Sequence, residues 1–207
     1  FLVGYGCGQF FGGSLSDQIG RKRVGYIGLS IYVVASLAIA FTRNVEQMIV
    51  LRFLQAIGGG FSTVICMATV RDIYPVEQLG RRFATVTMVV LVAPLVAPMI
   101  GALVLPLGWS VIFYLKAAYA AGLLAAYAVL VPETRGGHWA NLSPRAIFRQ
   151  CAEVVARRVD GRLMPIRYAL AMALATSVLM TFVTNASFIY QEYFAVPLSQ
   201  FPYLFGI

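Results

Sequence analysis

The chain has 207 residues, of which 60% are hydrophobic and 12% charged, with a net charge of +8 and a mean hydropathy of +0.80. A soluble domain carries roughly 25% charged residues, too many more than this chain has for its apolar surface to face water, so lipid is the expected solvent. Nucleic-acid binding is excluded by distribution, because the basic residues sit in short clusters between long apolar runs. Cys7, Cys66 and Cys151 form no CxxC pair and His138 is the single histidine, so neither a metal cluster nor a histidine-based catalytic set can be assembled.

A helix crosses a bilayer core with about 20 apolar residues. Five runs meet that length: Val24–Thr42, Met48–Val70, Phe83–Leu105, Trp109–Val131 and Tyr168–Tyr190. Partial runs stand at Phe1–Leu15 and from Gln200 to Ile207, and the chain reads as a fragment with sequence missing at both ends. No run shows the alternation of a barrel strand. The fold class expected is an all-α polytopic membrane protein, since helices alone then satisfy the backbone in lipid.

The connecting segments set a direction. Arg21, Lys22 and Arg23 follow the first run, Arg81 and Arg82 precede Phe83, and Pro132–Arg167 holds seven arginines. The alternate connections carry at most Arg43. Basic loops stay inside, so these three are expected at the cytoplasmic face of a bacterial-type inner membrane. Within the long linker, Ser143-Pro144 suits a helix start, and Ile147, Phe148, Cys151, Val154, Val155 and Val159 recur at helical spacing. Either a short amphipathic helix on the membrane surface or a plain solvated linker helix fits that pattern.

Four local patterns carry chemistry. Gly4, Gly8 and Gly12 stand four apart, a spacing that lets two membrane helices approach closely. Next, Gly13-Ser-Leu-Ser-Asp17-Gln-Ile-Gly20-Arg21-Lys22-Arg23 joins an apolar run to a tight basic turn, in which Gly20 can take a positive φ. As residues alone, this string can be a topological anchor with Asp17 paired locally. Third, Arg52 lies inside a span, where a cation costs about 2.5–3.5 kcal/mol at the helix centre and usually faces a polar interior. It is only roughly 8 Å along the helix from Gln47, so outward snorkelling is the competing reading. Fourth, Pro94 and Pro98 remove backbone donors within a span and predict a bend, with small residues at 93, 97, 101 and 102 on its face.

Together these strings resemble the major facilitator superfamily. The Gly13–Arg23 string matches every defined position of the family's loop between helices 2 and 3. The resemblance implies a cytoplasmic latch at Gly13, Asp17, Gly20, Arg21, Lys22 and Arg23, paired with Asp72 at the end of the fourth helix. Arg52, Gln55 and Gly58 match the helix 4 motif linked to proton coupling, with Ala56 where the family has glycine. Pro98 and Gly101, with Pro94 nearby, resemble the antiporter motif of helix 5, although Ala93, Ala97 and Ala102 stand for glycines. Arg52-Phe-Leu-Gln-Ala, Val70-Arg71-Asp72, Ala93–Pro98 and Gly108-Trp109…Ile112-Phe113 look like the bicyclomycin- and chloramphenicol-resistance branch of drug:proton antiporters.

The resemblance divides the chain into an N-terminal bundle at 1–131 (helices 2–6, helix 1 missing), a cytoplasmic linker at 132–166, and the start of a C-terminal bundle at 167–207. It implies a monomeric exporter of drug-like molecules, working by alternating access and driven by the proton gradient, with no cofactor, metal or nucleic acid and no enzymatic step. No phosphate-binding G-x-x-x-x-G-K-S/T string occurs, which fits a gradient rather than ATP as fuel. A nutrient or metabolite carrier of the same superfamily and a non-transporting membrane sensor are the alternatives. Lys116 lies about 10 Å into its span. It can snorkel outward, or it can line a cavity and disfavour cationic drugs. Thr181 and Asn185 are the other polar candidates for a cavity. Tyr5, Tyr114, Tyr119, Tyr127 and Phe182 are as readily packing or interface residues.

Overall fold

The computed structural model describes residues 1–134, 149, 152–153, 156 and 163–194. Among the described residues, the continuous α-helices are α1 (Leu2–Ile19), α2 (Arg21–Phe41), α3 (Val45–Ile73), α4 (Val76–Val104), α5 (Trp109–Leu130) and α6 (Met164–Phe188). A 3₁₀ turn at Leu105–Leu107 joins α4 to α5, and a π-helical turn, Ile189–Tyr193, follows α6. There is no strand among the described residues. Among the described residues, five segments are long and apolar enough to cross a bilayer: α2, α3, α4 with its 3₁₀ turn, α5, and Ile166–Ala186 within α6.

The helices outrun the apolar segments, which corrects the placement of the bases. Arg21–Arg23 form the first turn of α2 rather than a loop, and Gly20 is the whole connection between α1 and α2. Its φ of 101° lies where only glycine is unstrained. Arg71 lies in the last turn of α3, and Arg81 and Arg82 lie within α4. Hydropathy ends where the solvent changes, whereas the backbone ladder continues into the interface. Pro94 and Pro98 both lie inside α4, which continues as one helix through them. Of the expected linker helix, Arg149, Ala152, Glu153 and Ala156 are described and are helical; its remaining residues and the run from Gln200 lie outside the described residues.

The chain forms two compact units, Phe1–Val89 with Val104–Leu142, and Val90–Leu103 with Ser143–Ile207. In the first, α3 is central: α1 and α2 pack along it, and α5 packs on α2. Close approach is set by glycine. A Cβ on Gly4 would stand 2.7 Å from Phe53 O, one on Gly12 3.2 Å from Phe61 Cα, and one on Gly28 3.0 Å from Gly58 O. Two small apolar cores fill the remaining space. Val24, Phe61 and Ile65 form one; Ile39, Ala40 and Phe113 form the other, toward the opposite end. Apolar residues of this unit turned away from them, such as Val129 and Leu130, are open, as surfaces meeting lipid are. In the second unit, α6 closes its own turns with Thr176, Ser177 and Thr184 hydroxyls on carbonyls four residues back.

Candidate functional site

Two polar constellations interrupt the first unit, one at an end of the bundle and one within the spans. The first gathers the end of α1, the start of α2 and the ends of α3 and α5. Arg21 is its centre and is 2% exposed. Its Nη2 lies 2.8 Å from Asp17 Oδ1, and its Nε donates to Asp72 Oδ2 at 3.0 Å. Nη1 donates to Ser16 Oγ, whose hydroxyl in turn donates to Gly13 O at 2.6 Å. One planar guanidinium thereby ties α1, α2 and α3 together, a task its fixed fork of donors suits. Gly20 makes this possible by turning the chain within one residue, so that Asp17 and Arg21 fall on one side.

The sequence reading missed a further member, Glu133. Its Oε1 accepts the Arg21 backbone N–H at 3.0 Å and its Oε2 the Lys22 N–H at 3.2 Å. The carboxylate therefore caps the free donors at the positive end of α2. Lys22 reciprocates, its Nζ donating to Ala128 O at 3.0 Å near the end of α5. Arg23 is exposed on the same turn. The available signal was an acid directly after an apolar run in a segment otherwise rich in arginine. Replacing Glu133 by Gln in the full-length protein should lower stability by about 0.5–1 kcal/mol, the low end for a helix cap because this carboxylate is exposed. Thermal unfolding in detergent reads that as a lowered midpoint, and an unchanged midpoint would show that the cap contributes nothing.

The second constellation crosses α2 and α3. Gln55 is fully buried. Its Nε2 donates to Ser36 Oγ at 2.7 Å, and Ser36 donates to Tyr32 O at 2.6 Å. Arg52 Nη1 donates to Gln55 Oε1 at 3.3 Å. Arg52 is seven residues into α3, about 10 Å from its start at 1.5 Å per residue. Its guanidinium lies 4.7 Å from the centre of the Phe113 ring of α5, and the Lys116 ammonium lies 5.3 Å from the same centre. Arg52 thus turns inward onto Gln55 and Phe113 instead of running straight out along its helix. Gln55 is one of the groups that pin it.

The other sequence candidates fall elsewhere. Asn185 donates to Thr181 O at 2.8 Å within α6, and both side chains are exposed. Pro94, Pro98 and Gly101 lie on α4, and a Cβ on Gly101 would meet no described atom within 4 Å. Tyr5 donates to Thr63 Oγ1 at 2.9 Å, joining α1 to α3, while Tyr114 and Tyr127 pack edge-on against Phe41 and Tyr26. No group of histidine, cysteine and acid suited to a metal occurs among the described residues.

The sequence that carries these constellations is similar to those of known proteins. The chain is 31% identical over 211 residues to a bicyclomycin resistance protein homolog of Haemophilus influenzae, an alignment covering 99% of this chain and 51% of that protein. It is 40% identical over 152 residues to a chloramphenicol resistance protein of Pseudomonas aeruginosa, covering 69% of this chain and 36% of the relative. It is 33% identical over 136 residues to multidrug resistance protein D of Escherichia coli, covering 65% and 34%. The chain therefore spans about half the length of these relatives or less. The family model described as Major Facilitator Superfamily matches residues 1–207, and with apolar spanning helices, the charged turn around Arg21 and the inward Arg52 all on one chain, the protein belongs to that superfamily.

Proposed function

We propose that the full-length protein is a secondary active transporter of a bacterial inner membrane that exports drug-like small molecules in exchange for protons. The observation that carries this reading is Arg52, a cation held about 10 Å inside an apolar helix by Gln55 and Phe113. Such a placement costs free energy and is characteristic of polar pathways through membranes. The names of the relatives, which speak of bicyclomycin, chloramphenicol and multidrug resistance, support drugs as the cargo.

In this reading residues 1–131 belong to one bundle, 132–166 link the bundles on the cytoplasmic side, and 167–207 begin the other. The two bundles of a monomer rock about a site near the midplane. The Arg21 cluster lies at the arginine-rich end and closes it, and Arg52 with Gln55 couples proton to drug. The proton gradient is the fuel, and no cofactor takes part.

The test uses full-length protein in proteoliposomes with an imposed pH gradient. Chloramphenicol, a neutral drug, is added and proton movement is recorded. Protons moving opposite to the drug, with the flux lost in Arg52→Ala, is the expected result. Protons moving with the solute would make it a symporter. No movement with any solute, from protein shown to be folded, would leave the nutrient-carrier and sensor readings standing instead.

A further inference from the structure

Two cations share one aromatic ring within the spans. Lys116 is seven residues into α5 and Arg52 seven into α3, and the starts of the two helices meet where Phe113 packs with Met48 and Leu51. At 1.5 Å per residue the two charges lie at the same depth, about 10 Å in. Both lean on Phe113, a buried residue whose ring contacts the guanidinium on α3 and the ammonium on α5. With the two groups 4.7 and 5.3 Å from one ring centre, like charges face each other across a single side chain. No carboxylate of the described residues pairs with either. Glu46, the acid nearest to Arg52 along α3, is six residues away, about 9 Å along the axis.

Such an arrangement is costly as it stands. Taking two like charges from water disfavours both, and the face of one ring offsets only part of that loss. A protein that needed only packing here would use apolar residues. The donors also have a shape. Gln55 takes one guanidinium nitrogen, and because Ser36 holds Gln55, the guanidinium is fixed in rotation while other N–H groups remain to donate. A fixed fork beside a mobile ammonium is suited to an oxyanion: the guanidinium bonds two oxygens in its plane and the ammonium supplies point charge. A cationic ligand would meet repulsion from both.

We propose that Lys116 and Arg52 form a two-cation receptor for an anionic group, a carboxylate or phosphate, on a small-molecule substrate, and that Lys116 sets a preference for organic anions over cations. This rests on the export reading for the word substrate; the site itself does not. Lys116 is a specificity residue here, and Arg52 serves both the anion and the coupling proposed above.

The experiment is equilibrium binding to the purified full-length protein in detergent. The probes are fluorescein, a carboxylated anionic dye, ethidium as a cation, and neutral chloramphenicol as the internal reference. Wild type should bind fluorescein more tightly than ethidium. Lys116→Gln should lower the ratio of fluorescein to chloramphenicol affinity about tenfold, a loss of about 1.4 kcal/mol, whereas Lys116→Arg should keep that ratio within about threefold of wild type, which is about 0.65 kcal/mol. A ratio unchanged in Lys116→Gln would overturn the proposal by showing that the ammonium turns away to the outer surface. Failure of wild type to bind fluorescein, together with a lower melting temperature in Lys116→Gln, would overturn it differently, because a carboxylate of the protein's own chain would then occupy the two cations. The export reading fails separately: fluorescein binding without drug-driven proton movement would sink antiport and leave the receptor intact. Antiport of neutral drugs without fluorescein binding would do the reverse.

Discussion

Arg21→Lys is expected to abolish drug-driven proton flux in the full-length protein almost as completely as Arg21→Ala, although it keeps the charge. The reason is geometric. Three separate guanidinium nitrogens serve three separate partners: Nε serves Asp72, Nη2 Asp17 and Nη1 Ser16. An ammonium brings its donors to a single point, so a lysine cannot reach Asp72, Asp17 and Ser16 from the three separate positions that the guanidinium nitrogens occupy. Hydrogen bonds to charged groups are worth about 1.5–3 kcal/mol each, and breaking a buried pair costs about 3–5 kcal/mol. Asp17 and Asp72 retain 34% and 19% exposure, so water recovers part of that loss, and about 3 kcal/mol is the expected destabilisation of the closed end. Asp72→Asn keeps an acceptor for Nε and should cost less, about 1–2 kcal/mol.

A double-mutant cycle on Arg21 and Asp72 measures the coupling directly. Flux in proteoliposomes and thermal unfolding in detergent are read on the same samples. Loss of flux at near-normal melting temperature identifies a latch that acts on one conformation. A normal flux in Arg21→Lys would mean that charge alone suffices and that the three-way geometry is incidental. If flux and melting temperature fall in proportion, the network is simply part of the fold.

The spans were readable because hydropathy reports directly on the solvent each residue meets, and an unbroken run of about 20 apolar residues rarely folds as anything but a membrane helix. Helix ends were not, because the backbone ladder continues past the lipid: Arg21–Arg23 and Arg81–Arg82 are helical although they read as loop. The pairing of Arg21 with Asp72 joins residues 51 apart. Nothing in local spacing announces it, and it was reached through the family resemblance. Glu133 was passed over because its partners are backbone N–H groups, which leave no mark in a side-chain pattern. The bond from Gln55 to Ser36 depends on the rotational phase of two helices, a quantity that neither helix encodes alone. For the same reason the shared contact of Lys116 and Arg52 with Phe113 was out of reach of the sequence.

The rows of glycine on α1 and α3 allow a sharper prediction than packing arguments usually do. Gly8 and Gly6 sit two residues apart on one helix. A Cβ on Gly8 would collide with the backbone of Ile57, its carbonyl oxygen and, at 3.0 Å, its Cα, while one on Gly6 meets no described atom within 4 Å. Backbone cannot step aside as a flexible side chain can, so α1 must move off α3. Gly8→Ala should therefore cost about 1–3 kcal/mol, as overpacking does, and Gly8→Leu should leave little folded protein. Gly6→Ala should lie within about 0.5 kcal/mol of wild type, helped by alanine's better helix propensity. Gly60 faces the same crossing: its Cβ would come within 3.0 Å of Gly8 Cα. Once Gly8→Ala has pushed the helices apart, much of the clash at Gly60 is already relieved. The double variant Gly8→Ala, Gly60→Ala should then cost less than the sum of its parts. Melting temperature and the monodisperse fraction of the full-length protein in detergent measure each of these variants. Equal effects of Gly6→Ala and Gly8→Ala would show that propensity, not approach, governs these positions. Strict additivity of the pair would show that Gly8 and Gly60 do not share one crossing.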